Sequence, residues 1–183
     1  MLLQILSFLL DVATGLLAGA CLLRLYMQLQ RVPFANPVGR LVFAVTDWIV
    51  LPLRKLVPAA GRWDLASLAA ALLLKLAQYL LLLLLFSGAM GLAWAPWMAL
   101  FGTAQVAVSG LMGLVFVHVV LSWVQTRSPI VDVIARLCEP LLAPLRRVLP
   151  LLGGFDLSPL VLLVLLQVLA MVLGHLQAGV LLG

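Results

Sequence analysis

The chain has 183 residues, of which 66% are hydrophobic and 9% charged. Soluble globular domains run near ~45–50% apolar and ~25% charged, so too little charge is present to cover a water-facing surface, and the chain is too apolar to be disordered. A net charge of +5 would suit nucleic acid, but the basic residues stand between apolar runs, where lipid headgroups and the positive-inside rule account for them better. An integral membrane protein that does not bind nucleic acid is the class left.

In chain order, a first span is expected over about 4–29, carrying Asp11, Arg24 and the small-residue pair Gly15 and Gly19. Leu17 to Cys21 imitates a lipoprotein cleavage site. No basic residue precedes the apolar run, however, and the run continues to Leu29, so it reads as a retained span. An amphipathic helix follows over about 37–51. Val38, Leu41, Val42, Val45, Trp48 and Ile49 share one face, with Arg40 and Asp47 opposite. Pro37, after Asn36, suits its first turn, and Pro52 is expected to end it.

A second span is expected over about 65–87, with Asp64 as its N-cap. From Leu76 to Thr126 there is no Asp, Glu, Lys or Arg. As one helix at ~1.5 Å per residue, that run would exceed twice the ~30 Å hydrocarbon thickness. Gly88, Gly91 and Pro96, with Trp94 and Trp97 suited to an interface, place a tight turn there. A third span then covers about 98–124. A second amphipathic helix, about 129–143, opens on Ser128-Pro129 and is expected to end at Pro144. Its stripe is Ile130, Val133, Ile134, Leu137 and Leu141, and Asp132, Arg136 and Glu139 have the spacing of ion pairs. A fourth span runs over about 157–181, with Asp156 as its N-cap.

All basic residues except Arg24 and Lys75 lie in the two connectors that hold the amphipathic helices. With four spans both connectors lie on one side. The positive-inside rule makes that side the cytoplasm and leaves both termini outside, in the periplasm for a bacterial inner membrane. The amphipathic helices are too short to span, so they lie flat in the headgroup plane or dip in as re-entrant elements.

Sliding the sequence by 92 residues aligns its halves without a gap. Asn36-Pro37 meets Ser128-Pro129, and Asp47 meets Glu139. Pro52-Leu53-Arg54-Lys55 meets Pro144-Leu145-Arg146-Arg147, Pro58 meets Pro150, and Asp64 meets Asp156. Leucine matches carry little weight here; the matched Pro, Arg and Asp positions carry the repeat. Its units are 1–92 and 93–183. With two spans each they enter the membrane the same way, a parallel arrangement. This repeated pattern resembles the YggT family of small bacterial and plastid membrane proteins, over about 24–80 and 116–175. Trp48 and Cys138 depart from it, where the family tends to have Pro and Thr. The resemblance implies a polytopic protein without a known chemistry, its bacterial members associated with osmotic tolerance and its plastid relatives with cytochrome complex assembly.

Few residues invite chemistry. Lys75, near mid-bilayer, and its repeat partner Gln167 could line a polar path at the repeat interface; alternatively Lys75 snorkels or pairs with Asp11. Arg24 is expected to snorkel. His118 and His175 lie too far apart axially to share a metal. Arg54, Lys55, Arg146 and Arg147 either contact anionic lipid or a partner, or simply orient the chain. Asp47 and Glu139 are expected to bond arginines of their own repeat. No nucleophile constellation, Walker loop, dinucleotide fingerprint or Cys/His spacing occurs, so no enzyme, cofactor or metal is expected.

The fold class expected is therefore an all-α membrane protein: four transmembrane helices in two parallel tandem repeats, each with a cytoplasmic-side amphipathic or re-entrant helix. Two functions fit. One is a scaffold or assembly and stress-tolerance factor, acting through the basic interfacial helices on lipid or a membrane protein partner. The other is an oligomeric ion or solute channel supporting osmotic balance. A homo-oligomer or a membrane protein partner is expected.

Overall fold

A computed structural model describes residues 1–57, 61, 63–86, 93–124, 128–148 and 156–182. These form six α-helices: α1 Leu2–Leu29, α2 Pro37–Leu56, α3 Leu65–Phe86, α4 Ala95–Val124, α5 Pro129–Val148 and α6 Ser158–Leu182. Four of them, α1, α3, α4 and α6, are long and apolar enough to cross a membrane. Pro58, Pro150 and the turn expected near Gly88 and Gly91 lie outside the described residues.

The five tryptophans sort by end. Trp94 and Trp97 stand at the start of α4 and Trp123 at its finish, while Trp48 and Trp63 belong to the connector between α1 and α3; all are exposed. An amphipathic indole favours the membrane–water boundary, so this placement marks two interfaces separated by the length of α4.

The two halves repeat one packing plan. In each, the two spans pack against each other and the amphipathic helix packs on both: α2 on α1 and α3, α5 on α4 and α6. The halves join through α3 on α4, α1 on α4, and α2 on α5. Contact between α2 and α5 puts both amphipathic helices at the same end of the bundle, here called the rim. In lipid, apolar burial gives no hydrophobic gain, and close backbone approach has to supply dispersion instead. The α1–α3 seam shows this: Ala18 and Cys21 meet Ala66, Ala70 and Ala71, all buried. At the junction of the halves, Met27, Val32 and Val42 pack on Val133 and Leu137, and Tyr26 Oη donates to the Leu137 carbonyl at 2.8 Å.

Helix ends follow local chemistry. Asn36 caps α2, its side-chain oxygen accepting from the Gly39 N–H at 2.9 Å. Gly39 is required there, because a Cβ would run into the Phe34 backbone. The end of α1 is a Schellman closure, with the Val32 N–H on the Met27 carbonyl and the Arg31 N–H on that of Gln28. It holds Arg31 at φ 52°, where glycine is usual.

Pro52 and Pro144 do not end their helices, contrary to expectation: α2 continues to Leu56, and α5 passes both Pro140 and Pro144 to reach Val148. A proline removes one N–H and crowds the carbonyl four residues back. Here the residues four back are Trp48, Arg136 and Pro140, all exposed, so each freed carbonyl belongs to a residue on the outer face of its helix. The amphipathic stripe also divides. Val42, Thr46 and Val50 of α2 are buried, while Leu41, Trp48 and Leu51 are exposed apolar shoulders suited to lipid.

Candidate functional site

Polar groups gather in two places: the rim and the middle of the α1–α3 pair. At the rim of the first half, Arg24 turns inward instead of snorkelling and is 2% exposed. Its Nη1 donates to Asp47 Oδ1 at 2.6 Å and to Thr46 Oγ1 at 2.9 Å, while its Nε stands 3.6 Å from Asp64 Oδ2. Its guanidinium also lies over the Phe43 ring, 4.6 Å from the centroid, and Phe43 stacks on Phe34. Asp64 is fully buried. It accepts from Arg54 Nη2 at 2.6 Å and from Ser67 Oγ at 2.8 Å, and it caps α3 through the Ser67 N–H. A buried carboxylate without such partners would be costly.

The rim of the second half uses the same motif with different burial. Arg146 donates from Nε to Asp156 at 2.8 Å and from Nη1 to Glu139 at 2.9 Å, all three side chains partly open to solvent. Glu139 therefore pairs with Arg146, not with Arg136 as the helical spacing suggested. Asp156 bonds the Ser158 N–H at 2.9 Å, one residue ahead of the cap position. Burial would raise the Asp156 carboxyl, but the Ser158 and Arg146 hydrogen bonds outweigh it and hold it below the usual carboxylate range. Burial pushes the Cys138 thiol up to about 11, so that residue is an inert core group.

Asp47, Asp64, Glu139 and Asp156 are thus engaged with arginines inside the rim. Arg40, Lys55, Arg136 and Arg147 have no acidic partner among the described residues.

In the spans, Lys75 is 3% exposed and donates to Asp11 Oδ1 at 3.1 Å and to Gln78 Oε1 at 2.9 Å. Gln78 Nε2 donates to the same Asp11 oxygen at 3.0 Å, and Thr14 Oγ1 lies 2.6 Å from Gln78 Oε1. The lysine end is enclosed, whereas the Asp11 side chain is 67% exposed on the outside of α1. Gln167 takes no part: it is exposed on α6, so the Lys75–Gln167 path is not formed. Thr14 and Gln78 were missed, although each stands three residues after a charged member, one helical turn away. His118 is half-buried on α4, and His175 Nδ1 sits 3.0 Å from the Met171 carbonyl of its own helix. A Cβ at Gly19 would stand 3.7 Å from Val106 of α4, whereas one at Gly15 would face open space. Among the described residues no group of three His, Cys, Asp or Glu side chains is placed to hold a metal.

The family model described as CCB3/YggT matches residues 3–85 and 97–177, once in each half. The chain is similar to the uncharacterized protein YggT of Escherichia coli K12, at 38% identity over 91% of this chain and 87% of that protein. It is likewise similar to an uncharacterized protein encoded beside proC in Vibrio alginolyticus, at 35% identity over 88% of this chain and 89% of the other. An uncharacterized protein of Pseudomonas aeruginosa matches at 36% over 76% and 73% of the two lengths. No solved structure matches the chain. Two matched halves, and relatives aligned over most of both lengths, place this four-span helical protein in the CCB3/YggT family.

Proposed function

We propose that the protein is a non-enzymatic membrane scaffold, an assembly or stress-tolerance factor whose rim docks anionic lipid headgroups or a membrane protein partner. The observation that carries this reading is the division of charge at the rim. The acidic Asp47, Asp64, Glu139 and Asp156 are neutralised internally, which leaves Arg40, Lys55 and Arg147 as uncompensated cations, while Arg136 stands one helical turn from the unpaired Asp132. The same excess supports a cytoplasmic rim with both termini periplasmic in a bacterial inner membrane.

Arg54 and Arg146 are structural in this reading, so the test falls on the free cations. Changing Arg40, Lys55 and Arg147 together to Gln should leave insertion intact, weaken binding to vesicles containing anionic lipid, and abolish function in cells under osmotic stress. A triple variant that binds and functions like the parent would sink the proposal. Reporter fusions at the C-terminus check the orientation.

A second reading, an oligomeric conduit, draws on Asp11. A carboxylate with a free oxygen on a lipid-facing helix is costly, and a polar channel between subunits would solvate it. Proteoliposomes should then pass ions or small solutes, and Asp11→Asn should change that flux. Silence across a broad panel of ions and solutes removes this reading.

A further inference from the structure

A groove lies where the two halves meet at the rim. It is an open depression of about 190 Å³, lined by Val32, Pro33, Ala35 and Asn36 ahead of α2 and by Pro129, Asp132, Val133 and Arg136 of α5. The space is smaller than a drug-sized site, ~300–1,000 Å³, and is on the scale of a single polar headgroup. The groove stands just past the end of α1 at Leu29 and of α4 at Val124, the level at which spans leave the hydrocarbon. Its floor is apolar, since Val32 and Val133 are buried.

Its charged groups are one acid and one base, one helical turn apart. Asp132 and Arg136 are at i and i+4, an arrangement that favours an ion pair, yet no ion pair forms between them, and neither side chain has another partner among the described residues. Both are exposed. Side chains four apart on a helix stand about 5–6 Å from each other at Cβ, so one ligand carrying a cation and an anion on a short linker can meet both. An anionic headgroup would satisfy Arg136 and leave Asp132 opposed.

We infer that this groove binds the headgroup of a zwitterionic phospholipid, phosphatidylethanolamine. Arg136 takes the phosphodiester through its planar fork of N–H donors, and the ethanolammonium donates to the Asp132 carboxylate. Because the walls come from both halves, the bound lipid bridges the repeats beside the Tyr26–Leu137 hydrogen bond. A choline headgroup, with no N–H to donate, loses the second contact. The inference deepens the reading of the rim as a lipid-docking face and rests on it.

The test uses the full chain in detergent, given equal amounts of phosphatidylethanolamine, phosphatidylglycerol and phosphatidylcholine of one acyl composition, with bound lipid read by native mass spectrometry. Ethanolamine lipid should be retained about tenfold over choline lipid, the size of one charge-assisted hydrogen bond. Asp132→Asn and Arg136→Gln should each remove that preference while melting stays at the parent's temperature, and His175→Gln at the opposite end should leave it unchanged. Soluble glycerophosphoethanolamine should not displace the lipid; if it does so at equal concentration, the site serves a free metabolite and the lipid assignment is wrong. Phosphatidylglycerol retained alone, through Arg40, Lys55 and Arg147, would overturn the groove while keeping the basic rim. No headgroup preference of any kind overturns both the groove and anionic-lipid docking at the rim.

Discussion

The two rims are built from one motif and behave differently. In both, the arginine of the Pro-Leu-Arg turn reaches the aspartate ten residues on: Arg54 to Asp64 at 2.6 Å, and Arg146 to Asp156 at 2.8 Å. The difference comes from the span. At the position of Arg24, the second half has Phe116, which is exposed on α4. Arg24 enters the first rim from α1 and draws Thr46, Asp47 and Asp64 around it, so the motif becomes a buried core tying three helices. Without such an arginine, Glu139 turns to Arg146 and the second rim stays a surface. A sequence repeat therefore conserved the local turn chemistry but not the job: one copy anchors the bundle, while the other leaves polar side chains available beside the groove.

The largest expected effect follows from Arg24. Arg24→Met leaves Asp64 wholly buried with Arg54 as its one cation and strips Asp47 of its partner. Breaking a buried pair in this way costs about 3–5 kcal/mol. Arg146→Met breaks pairs that are open to solvent and should cost about 0–1 kcal/mol. Thermal unfolding in detergent compares the two, and equal losses would erase the distinction between the rims. A smaller effect sharpens it. Thr46 and Cys138 are repeat partners, and both are buried. Thr46→Val removes a hydroxyl that accepts from Arg24 and donates to the Val42 carbonyl, for about 1–3 kcal/mol. Cys138→Thr should cost under about 1 kcal/mol, because the new hydroxyl can donate to the carbonyl four residues back. Equal costs would mean that the two rims are held in the same way.

Much of the architecture was legible because it rests on short-range signals. The spans follow from length and hydropathy, and the common rim follows from two spans per repeat. Asp64, just before an apolar run, stands where a cap is expected, and it caps α3 through the Ser67 N–H. What was not legible depended on tertiary direction. Whether Arg24 snorkels or turns inward is decided by Asp47, which lies on another helix and looks in sequence like the polar side of an amphipathic element. The pairing of Lys75 with Asp11 was one of several open alternatives, beside snorkelling and a polar path shared with the repeat partner Gln167. Only the α1–α3 packing selects among them, by placing Thr14 and Gln78 around the Lys75–Asp11 pair. Pro52 and Pro144 misled for a different reason: a proline ends a helix where its freed carbonyl is buried, and these lie on exposed faces.

The smallest expected effect concerns acid. Asp156 is held below the ordinary carboxylate value, chiefly through Ser158 and Arg146 acting against a burial contribution that would raise it. A carboxyl whose folded value is depressed adds stability that is fully present above its unfolded value of ~3.9 and lost as pH falls through the folded one. The second rim should therefore loosen below about pH 4, at first through the α5–α6 contact that Arg146 and Asp156 hold together. Because these side chains are partly open to solvent, screening keeps the effect to a modest drop in the melting temperature. Melts of the parent and of Asp156→Asn in detergent, taken from neutral pH into acid, read it directly. The variant should be slightly less stable at neutral pH and should show a shallower loss in acid. An acid limb unchanged by Asp156→Asn would place the acid sensitivity elsewhere in the molecule and remove the second rim's share of it.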